Sequence, residues 1–398
     1  MSSNSKASGQ AAGKPLRVAW ISDYPIEWEP DLPEDLRTLP RRHPGTWQMV
    51  LLREFERNPD VQVHVILLRN RLQRDVSFER NGTVFHALKA RAWMRLASVF
   101  WLDVHLIRRI CRRVKPDLVH AWGNETAAGV VAQRLGLPNL LTLQGLFFWY
   151  NRQIRMQRYE RWMERFERKS LSRGDVVTTE SNFAVRLLKE NYPKLRIIQA
   201  EHAPNRVFRE VRRRPETGPF HFIAIGGLGV RKGTDLLFKA LQELCGELPF
   251  RLTVVTASEP PPQTGSNEFW GRVRFKHRAV PAEVAREFET ATMLLMPTRV
   301  DTSPNAVKEA VVAGVPVVAS RVGGIPDYVF PGKNGILFEP NDLEGFIGAI
   351  RAACTHPLFG QGNVDLQSYG ETRDYLSPER MAQNFIQAYD MVIGRKPC

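Results

Sequence analysis

The sequence has little of what would commit a chain to a disulfide scaffold, a metal site or a membrane span. Its 398 residues hold four cysteines, Cys111, Cys245, Cys354 and Cys398, far apart and with no CxxC spacing. That pattern argues against a disulfide framework or a zinc site and fits a reducing cytoplasm. There is no Asp-x-Asp pair and no clustered set of His, Cys and carboxylate residues, so no metal ligand set is expected. No run reaches the roughly 18 apolar residues that a spanning helix needs. The nearest, "NLLTLQGLFFWY", is short and contains Gln144. The opening "MSSNSKASGQAAGKP" has no apolar signal core, and residues 1–14 read as a disordered leader. Zinc-finger, RRM and helix-turn-helix signatures are missing as well, so nucleic acid is not an expected partner.

What is present in excess is positive charge. Lys and Arg number 56 against 42 Asp and Glu, a formal balance of +14, which favours an anionic partner such as an acidic membrane surface or a phosphorylated substrate. Much of it lies in the first half. In "RQIRMQRYERWMERFERK", residues 152–169, Met156, Tyr159, Trp162, Met163 and Phe166 fall on one helical face and Arg158, Arg161, Arg165 and Arg168 on another. The segment "RAWMRLASVFWLDVHLIRRICRR" also combines an apolar face with Arg108, Arg109, Arg112 and Arg113. Both are consistent with interfacial helices on anionic lipid, and both with packed helices whose arginines face water.

The chain's length is about twice that of a typical domain of ~150 residues. Short β-branched runs alternate with helical stretches: "RVAWIS", "QVHVILL", "DLVHAW", "NLLTLQ", "DVVTTE" and "RIIQAE", then "HFIAIG", "RLTVVT", "MLLMPT", "VPVVAS" and "GILFE". Nearly continuous apolar strands separated by helices predict parallel sheets covered on both faces. The series divides at the polar, basic "NRVFREVRRRPETGP", which predicts an exposed linker over residues 206–219. The expected architecture is α/β, two doubly wound domains, 15–205 and 220–365, facing across a cleft. A helical segment, 366–398, returns to the first domain. Ligands of such sheets bind at the carboxyl ends of the strands, which places the site in that cleft.

Two loops carry anion-binding chemistry. After "HFIAI" come Gly226, Gly227, Leu228, Gly229, Val230, Arg231, Lys232 and Gly233, where glycines permit close backbone approach and two cations sit beside a helix start. The loop is neither a P-loop nor a full GxGxxG fingerprint. After "MLLMPT" the chain passes Asp301 to Ser303, Pro304 and a helix that stops at Gly314. Serine before proline predicts Ser303 as N-cap, with the free amides of Asn305 and Ala306 and the helix dipole forming a phosphate seat. Glu309 then reaches a sugar hydroxyl beyond the phosphate, or lies on a solvated face. Together the loops suggest a diphosphate held between them.

In "GGLGVRKGTDLLFKAL" and in residues 297–338, ending "GIPDYVFPGKNGILFEP", the sequence resembles the retaining nucleotide-sugar glycosyltransferases of family 4, which have the two-Rossmann GT-B fold. Weaker echoes in "PDLVHAWGNE", "LPNLLTLQGL" and "DVVTTESNFAVRLL" extend the likeness over most of the chain. The resemblance implies a nucleotide-diphosphate sugar as donor substrate and no cofactor or metal. It matches Asp301 and Glu309 to the family's two acids, with Glu309 on ribose and the Asn305 and Ala306 amides on phosphate. It gives Arg231 and Lys232 the leaving diphosphate, and Gly226 and Gly227 its backbone cradle. Gly45, in "RRHPGTWQMV", falls in the loop where donor and acceptor meet, and His120 is a candidate contact to the donor sugar. The pattern departs from the family at four places: Asp301 replaces glutamate, Ser303 and Pro304 replace Phe-Gly, Gly227 stands near the usual arginine, and Gln144 replaces histidine. A glutamine amide hydrogen-bonds a sugar but accepts no proton as a base. In the family the leaving phosphate itself helps to deprotonate the acceptor, which removes the need for one. The acceptor expected is a glycan or a lipid-linked glycan of the cell surface, made on the cytoplasmic side and peripheral to the membrane. A nucleotide-sugar epimerase and a non-catalytic, membrane-associated nucleotide-sugar-binding protein are the alternatives.

Overall fold

The structure, a computed structural model, describes residues 14–40 and 45–395. Almost all of the 1–14 leader, residues 41–44 of the Gly45 loop and residues 396–398 lie outside the described residues.

Two sheets form. The first contains β1 (Leu16–Ile21), β2 (Val61–Arg69), β3 (Val76–Arg80), β4 (Thr83–Lys89), β5 (Leu118–Trp122), β6 (Asn139–Leu143), β7 (Val176–Thr179) and β8 (Arg196–Gln199), in the order β3-β4-β2-β1-β5-β6-β7-β8. All its pairings are parallel except β3 with β4. The second contains β9 (Phe220–Ile225), β10 (Phe250–Thr256), β11 (Val273–His277), β12 (Met293–Met296), β13 (Val317–Ser320) and β14 (Gly335–Phe338), all parallel, in the order β11-β10-β9-β12-β13-β14. Helices cover both faces of each sheet, so central strands such as β5, β7, β12 and β13 are buried at every position. This is the two-sided burial that continuous apolar runs require.

The eleven predicted strands are all present. Missing from the expectation are β11 and the β3–β4 hairpin, whose turn is Asn81-Gly82 with φ of 49° and 78°. Those angles suit a two-residue primed turn, for which Asn-Gly is a strong signal.

The joining segment is strapped down rather than free, because it carries apolar and forked side chains among its polar ones. Phe208 is fully buried and packs 5.8 Å from Phe288. Arg206 bridges Glu54 (2.8 Å) and Glu379 (2.7 Å), and Arg213 donates to the Ala291 and Gly362 carbonyls (2.6 and 2.7 Å). The helix Leu366–Tyr375 stays with the second domain, against the helix Asn305–Ala313. Its last residue, Tyr375, accepts from Gln199 of the first domain (2.9 Å), and Pro378–Ile393, capped by Ser377, crosses back: Met381, Phe385 and Tyr389 complete the core around Trp20 and Phe55.

Two expectations are corrected by burial. His120 is fully buried, its Nε2 paired with Thr142 Oγ1 (2.6 Å) and its Nδ1 with the Tyr389 hydroxyl (2.9 Å), so it holds the C-terminal helix to the sheet and faces no cleft. Met156, Met163 and Phe166 are buried in the first-domain core, so the helix Arg158–Arg173 presents its arginines and not its apolar face to the surroundings. Among the described residues, no helix is long and apolar enough to cross a membrane.

Candidate functional site

The loops leaving the carboxyl ends of β9 and β12 meet over the second sheet. Gly233 has φ of +70°, and a Cβ there would stand 1.8 Å from the Pro297 carbonyl oxygen, so only glycine lets the two loops close on each other. Arg299 clamps the same junction, donating to Val230 O (2.6 Å) and pairing with Asp235. Sequence reasoning missed this brace. Its signal was an arginine in the loop after β12 and an acid in the first turn of the facing helix.

This closure places Lys232 Nζ 2.5 Å from Asp301 Oδ2, with Arg231 3.8 Å from the same oxygen. Burial alone would raise the Asp301 carboxyl, but Lys232 and Arg231, helped by the Ser303 amide, outweigh it and hold it below its ordinary value. The acid is therefore ionised and keeps the two cations turned inward. Asp301 in turn is seated by Gly323, whose φ is +57° and whose Cβ would lie 1.9 Å from the Asp301 carbonyl oxygen. The double glycine after β13 is thus required by close approach.

The helix Asn305–Ala313 starts one residue later than its cap prediction. Pro304 occupies the N-cap position with no side-chain cap, and the Ser303 hydroxyl donates instead to Glu201 Oε1 (2.8 Å) in the first domain. The correction is tertiary: an available carboxylate outcompeted the local amide. Because proline supplies no capping oxygen, the Asn305 and Ala306 amides find no acceptor among the described residues. Glu309, four residues after Asn305, shares its face. Its carboxylate, partly exposed, accepts no hydrogen bond among the described residues, and burial pushes it up to about 8 with Lys308 opposing. Gly226 spends its amide on Val255 O (3.0 Å) in the sheet, while a Cβ on Gly227 would meet Ser258 Oγ at 3.8 Å.

The first domain closes the site from above. Thr302 Oγ1 donates to the Gln144 carbonyl (2.9 Å) and pairs with the Tyr150 hydroxyl (3.2 Å), and the Arg231 guanidinium lies 5.9 Å from the Tyr150 ring. The Gln144 side chain, with Glu125, converges above Gly123. The structure thus brings Gln144, Arg231, Lys232 and Asp301 to one interdomain region, through Thr302 and Tyr150, while Asn305, Ala306 and Glu309 lie on the helix that follows Asp301. Gly45 begins the helix Thr46–Glu56, whose Trp47 stacks on His202 at 5.7 Å. Tyr150 and Thr302 had no distinguishing signal in sequence. Among the described residues no group of three His, Cys, Asp or Glu side chains is placed to hold a metal ion.

Beneath the site runs a buried charge network that the sequence did not announce. Lys308 Nζ meets Glu180 Oε2 (2.6 Å) and Glu201 Oε1 (3.1 Å), and His202 Nδ1 lies 3.2 Å from Glu180. One cation serves two buried acids. Burial, with Glu201 nearby, pushes Glu180 up to about 8 despite Lys308, and burial likewise pushes Glu167 up to about 8. With Glu309, three carboxyls hold protons that an unfolded chain, near its ordinary carboxyl pKa of about 4.3, has lost. Between pH 7 and 8.5 the native state therefore binds more protons than the unfolded state, and stability falls as pH rises. Melting temperatures across that range should decline for the wild type and less for Glu180→Gln; parallel curves would contradict the shared-cation geometry.

Similar proteins are found for both domains. The family model described as Glycosyl transferases group 1 matches residues 219–356, and that of Glycosyltransferase Family 4 matches 49–199. The fold is GT-B: sucrose-phosphate synthase from Thermosynechococcus elongatus superposes with a TM-score of 0.76 at 16% identity, covering 95% of this chain and 99% of that one. An Anabaena protein solved with UDP-glucose gives 0.67 at 13% identity over 94% and 100% of the two chains. Glycogen synthase of Mycobacterium tuberculosis is 29% identical over 175 residues, 41% of this chain and 41% of its own length. The match therefore spans about two fifths of that relative's length. One model on each domain, with these neighbours, supports a group 1 glycosyltransferase.

Proposed function

We propose that the protein is a retaining, metal-independent hexosyltransferase of family 4 type. It moves a sugar from a nucleotide-diphosphate donor to a glycan or lipid-linked acceptor in cell-surface polysaccharide or glycolipid assembly, at the cytoplasmic face of the membrane. The observation that carries this reading is the Lys232–Asp301 pair held between the two loops, followed along the next helix by the unengaged amides of Asn305 and Ala306 and by the Glu309 carboxyl, which has no hydrogen-bond donor among the described residues. Cations on one loop and free helix-start amides after the next suit a diphosphate, and an acid one helical turn farther suits ribose hydroxyls. A neighbour solved with UDP-glucose supports a nucleotide-sugar donor. In this reading the leaving phosphate takes the acceptor's proton while Lys232 and Arg231 stabilise its growing charge, so Gln144 needs only to hydrogen-bond the sugar. The surplus of positive charge supports an anionic membrane surface as a further partner.

A thermal-shift screen of nucleotide sugars, followed by transfer and hydrolysis assays with the best binder, tests the proposal; no stabilisation by any nucleotide would refute it. Glu309→Gln is expected to weaken donor binding by roughly 1.5–3 kcal/mol, the value of a charge-assisted hydrogen bond, with little change in melting temperature. Because ribose hydroxyls pair best with the ionised acid, wild-type donor affinity should rise as pH passes through about 8, and the variant's should not. Calorimetry at several pH values reads both effects, and equal affinities at pH 8.5 would return Glu309 to a surface role.

A further inference from the structure

The helices Ala92–Ala97 and Trp101–Val114 form a hairpin: the second buries Val104, Ile107, Ile110 and Cys111 in the core, while the first and the joint leave their apolar residues outside it. None of residues 92–97 is buried; Trp93 is 64% exposed and Trp101 55%, with Met94, Leu96 and Val99 exposed beside them. Six residues are too few to hold a helix on their own. The joint holds it: Phe100, at φ of 63°, inserts beside Trp162 (5.6 Å) and Phe166 (5.2 Å), Arg95 pairs with Asp103 (2.8 Å), and Arg134 donates to Val99 O (2.6 Å) while covering Trp101 at 4.6 Å. The fold therefore displays this patch rather than failing to bury it, and contiguous exposed apolar surface marks an interaction site. Its surroundings are cationic. Arg91 on the hairpin, and Arg158 and Arg161 on either side of the half-exposed Tyr159, are exposed and make no ion pair among the described residues; so are Arg112 and Arg113, at the far end of the second helix.

Tryptophan beside unpaired arginine matches the boundary between headgroups and acyl chains, where an indole ring is partly apolar and partly wet and the lipids are anionic. A crevice opens directly behind, at the carboxyl ends of β1 and β2, lined by Ser22, Asp23, Arg95, Asp103 and Thr126, and the Tyr159 hydroxyl donates to Glu125 O (3.0 Å) nearby. Glu125 also stands over Gly123 with Gln144, at the edge of the interdomain site.

We propose that this hairpin docks the protein on an anionic bilayer, with Trp93 and Trp101 entering the headgroup layer, so that this side of the interdomain site is turned toward a lipid-linked acceptor. The docking stands on the patch alone; the acceptor's route rests on the transferase reading. It also moves the lipid contact from the apolar face of Arg158–Arg173, which is buried, to a different element.

The test compares full-length wild type with the double variant Trp93→Ser/Trp101→Ser, both solvent-exposed changes outside the donor site. Wild type should sediment with phosphatidylcholine–phosphatidylglycerol vesicles, much less with pure phosphatidylcholine, and its fluorescence should be quenched by brominated acyl chains. The variant should lose vesicle affinity by about tenfold or more while keeping its melting temperature and its donor affinity in calorimetry. Variant and wild type sedimenting alike would overturn the proposal, as would equal wild-type binding to neutral and anionic vesicles. So would a patch that proves to be a dimer contact, seen as a wild-type dimer that the substitutions dissociate with no vesicle binding in either protein. A wild type that docks but neither binds nor turns over any nucleotide sugar would uphold the docking and remove the transferase reading with its acceptor route.

Discussion

Replacing Lys232 by alanine is expected to lower turnover by about 10²–10³, with a much smaller rise in the apparent donor constant. The reason lies in when the charge is needed. As the glycosidic bond breaks, negative charge accumulates on the leaving diphosphate, and a cation already in place stabilises that state more than the bound donor. Asp301 supplies the preorganisation: at 2.5 Å from Nζ it holds the ammonium under the loop instead of in solvent. Arg231, farther from Asp301 and more exposed, should give the same direction with a smaller effect. Under the proposed mechanism EDTA leaves wild-type turnover unchanged, because these cations act where other enzymes place a metal. Steady-state kinetics of both variants with and without chelator decides the matter, and normal turnover in Lys232→Ala would place the catalytic charge elsewhere.

Lys308→Met should cost about 3–5 kcal/mol of stability, since it removes the one cation between two buried acids. Glu180 and Glu201 then face each other without compensation, and the loss should be greater at pH 8.5 than at pH 7, where a bound proton relieves part of the repulsion. The penalty is electrostatic, so the triple variant Lys308→Met/Glu180→Gln/Glu201→Gln should recover much of it. Urea unfolding followed by tryptophan fluorescence measures both. A Lys308→Met protein within about 1 kcal/mol of wild type, below the range for a broken buried pair, would mean that water reaches the network. Because Lys308 lies on the helix that offers the Asn305 and Ala306 amides, and both acids belong to the first domain, donor affinity should fall with stability in the single variant. The network is what sets that helix against its partner domain.

The parts of this protein legible in its sequence are those governed by local pattern. Strands buried on both faces must be continuously apolar, so β1, β2, β5 to β10 and β12 to β14 could be read as they stand. A loop rich in glycine, with Arg231 and Lys232 before a helix, is readable for the same reason: backbone freedom and charge are properties of residue type. The Asn81-Gly82 hairpin was equally legible and was passed over. Tertiary structure decided the rest. Ser303 has the form of an N-cap, but Glu201, 102 residues away in sequence, took its hydroxyl. Lys308 carries no local sign of burial, since its two acids come from another domain. His120 reads from sequence as a strand end, where a ligand contact is plausible, but it sits in the middle of β5 and Tyr389 of the last helix covers it. The amphipathic segments 91–113 and 152–169 look alike in sequence. Both bury the apolar face of their longer helix, but 91–113 also displays Trp93, Met94, Leu96, Val99 and Trp101, because periodicity defines a helix's faces while only the packed neighbours determine what is covered.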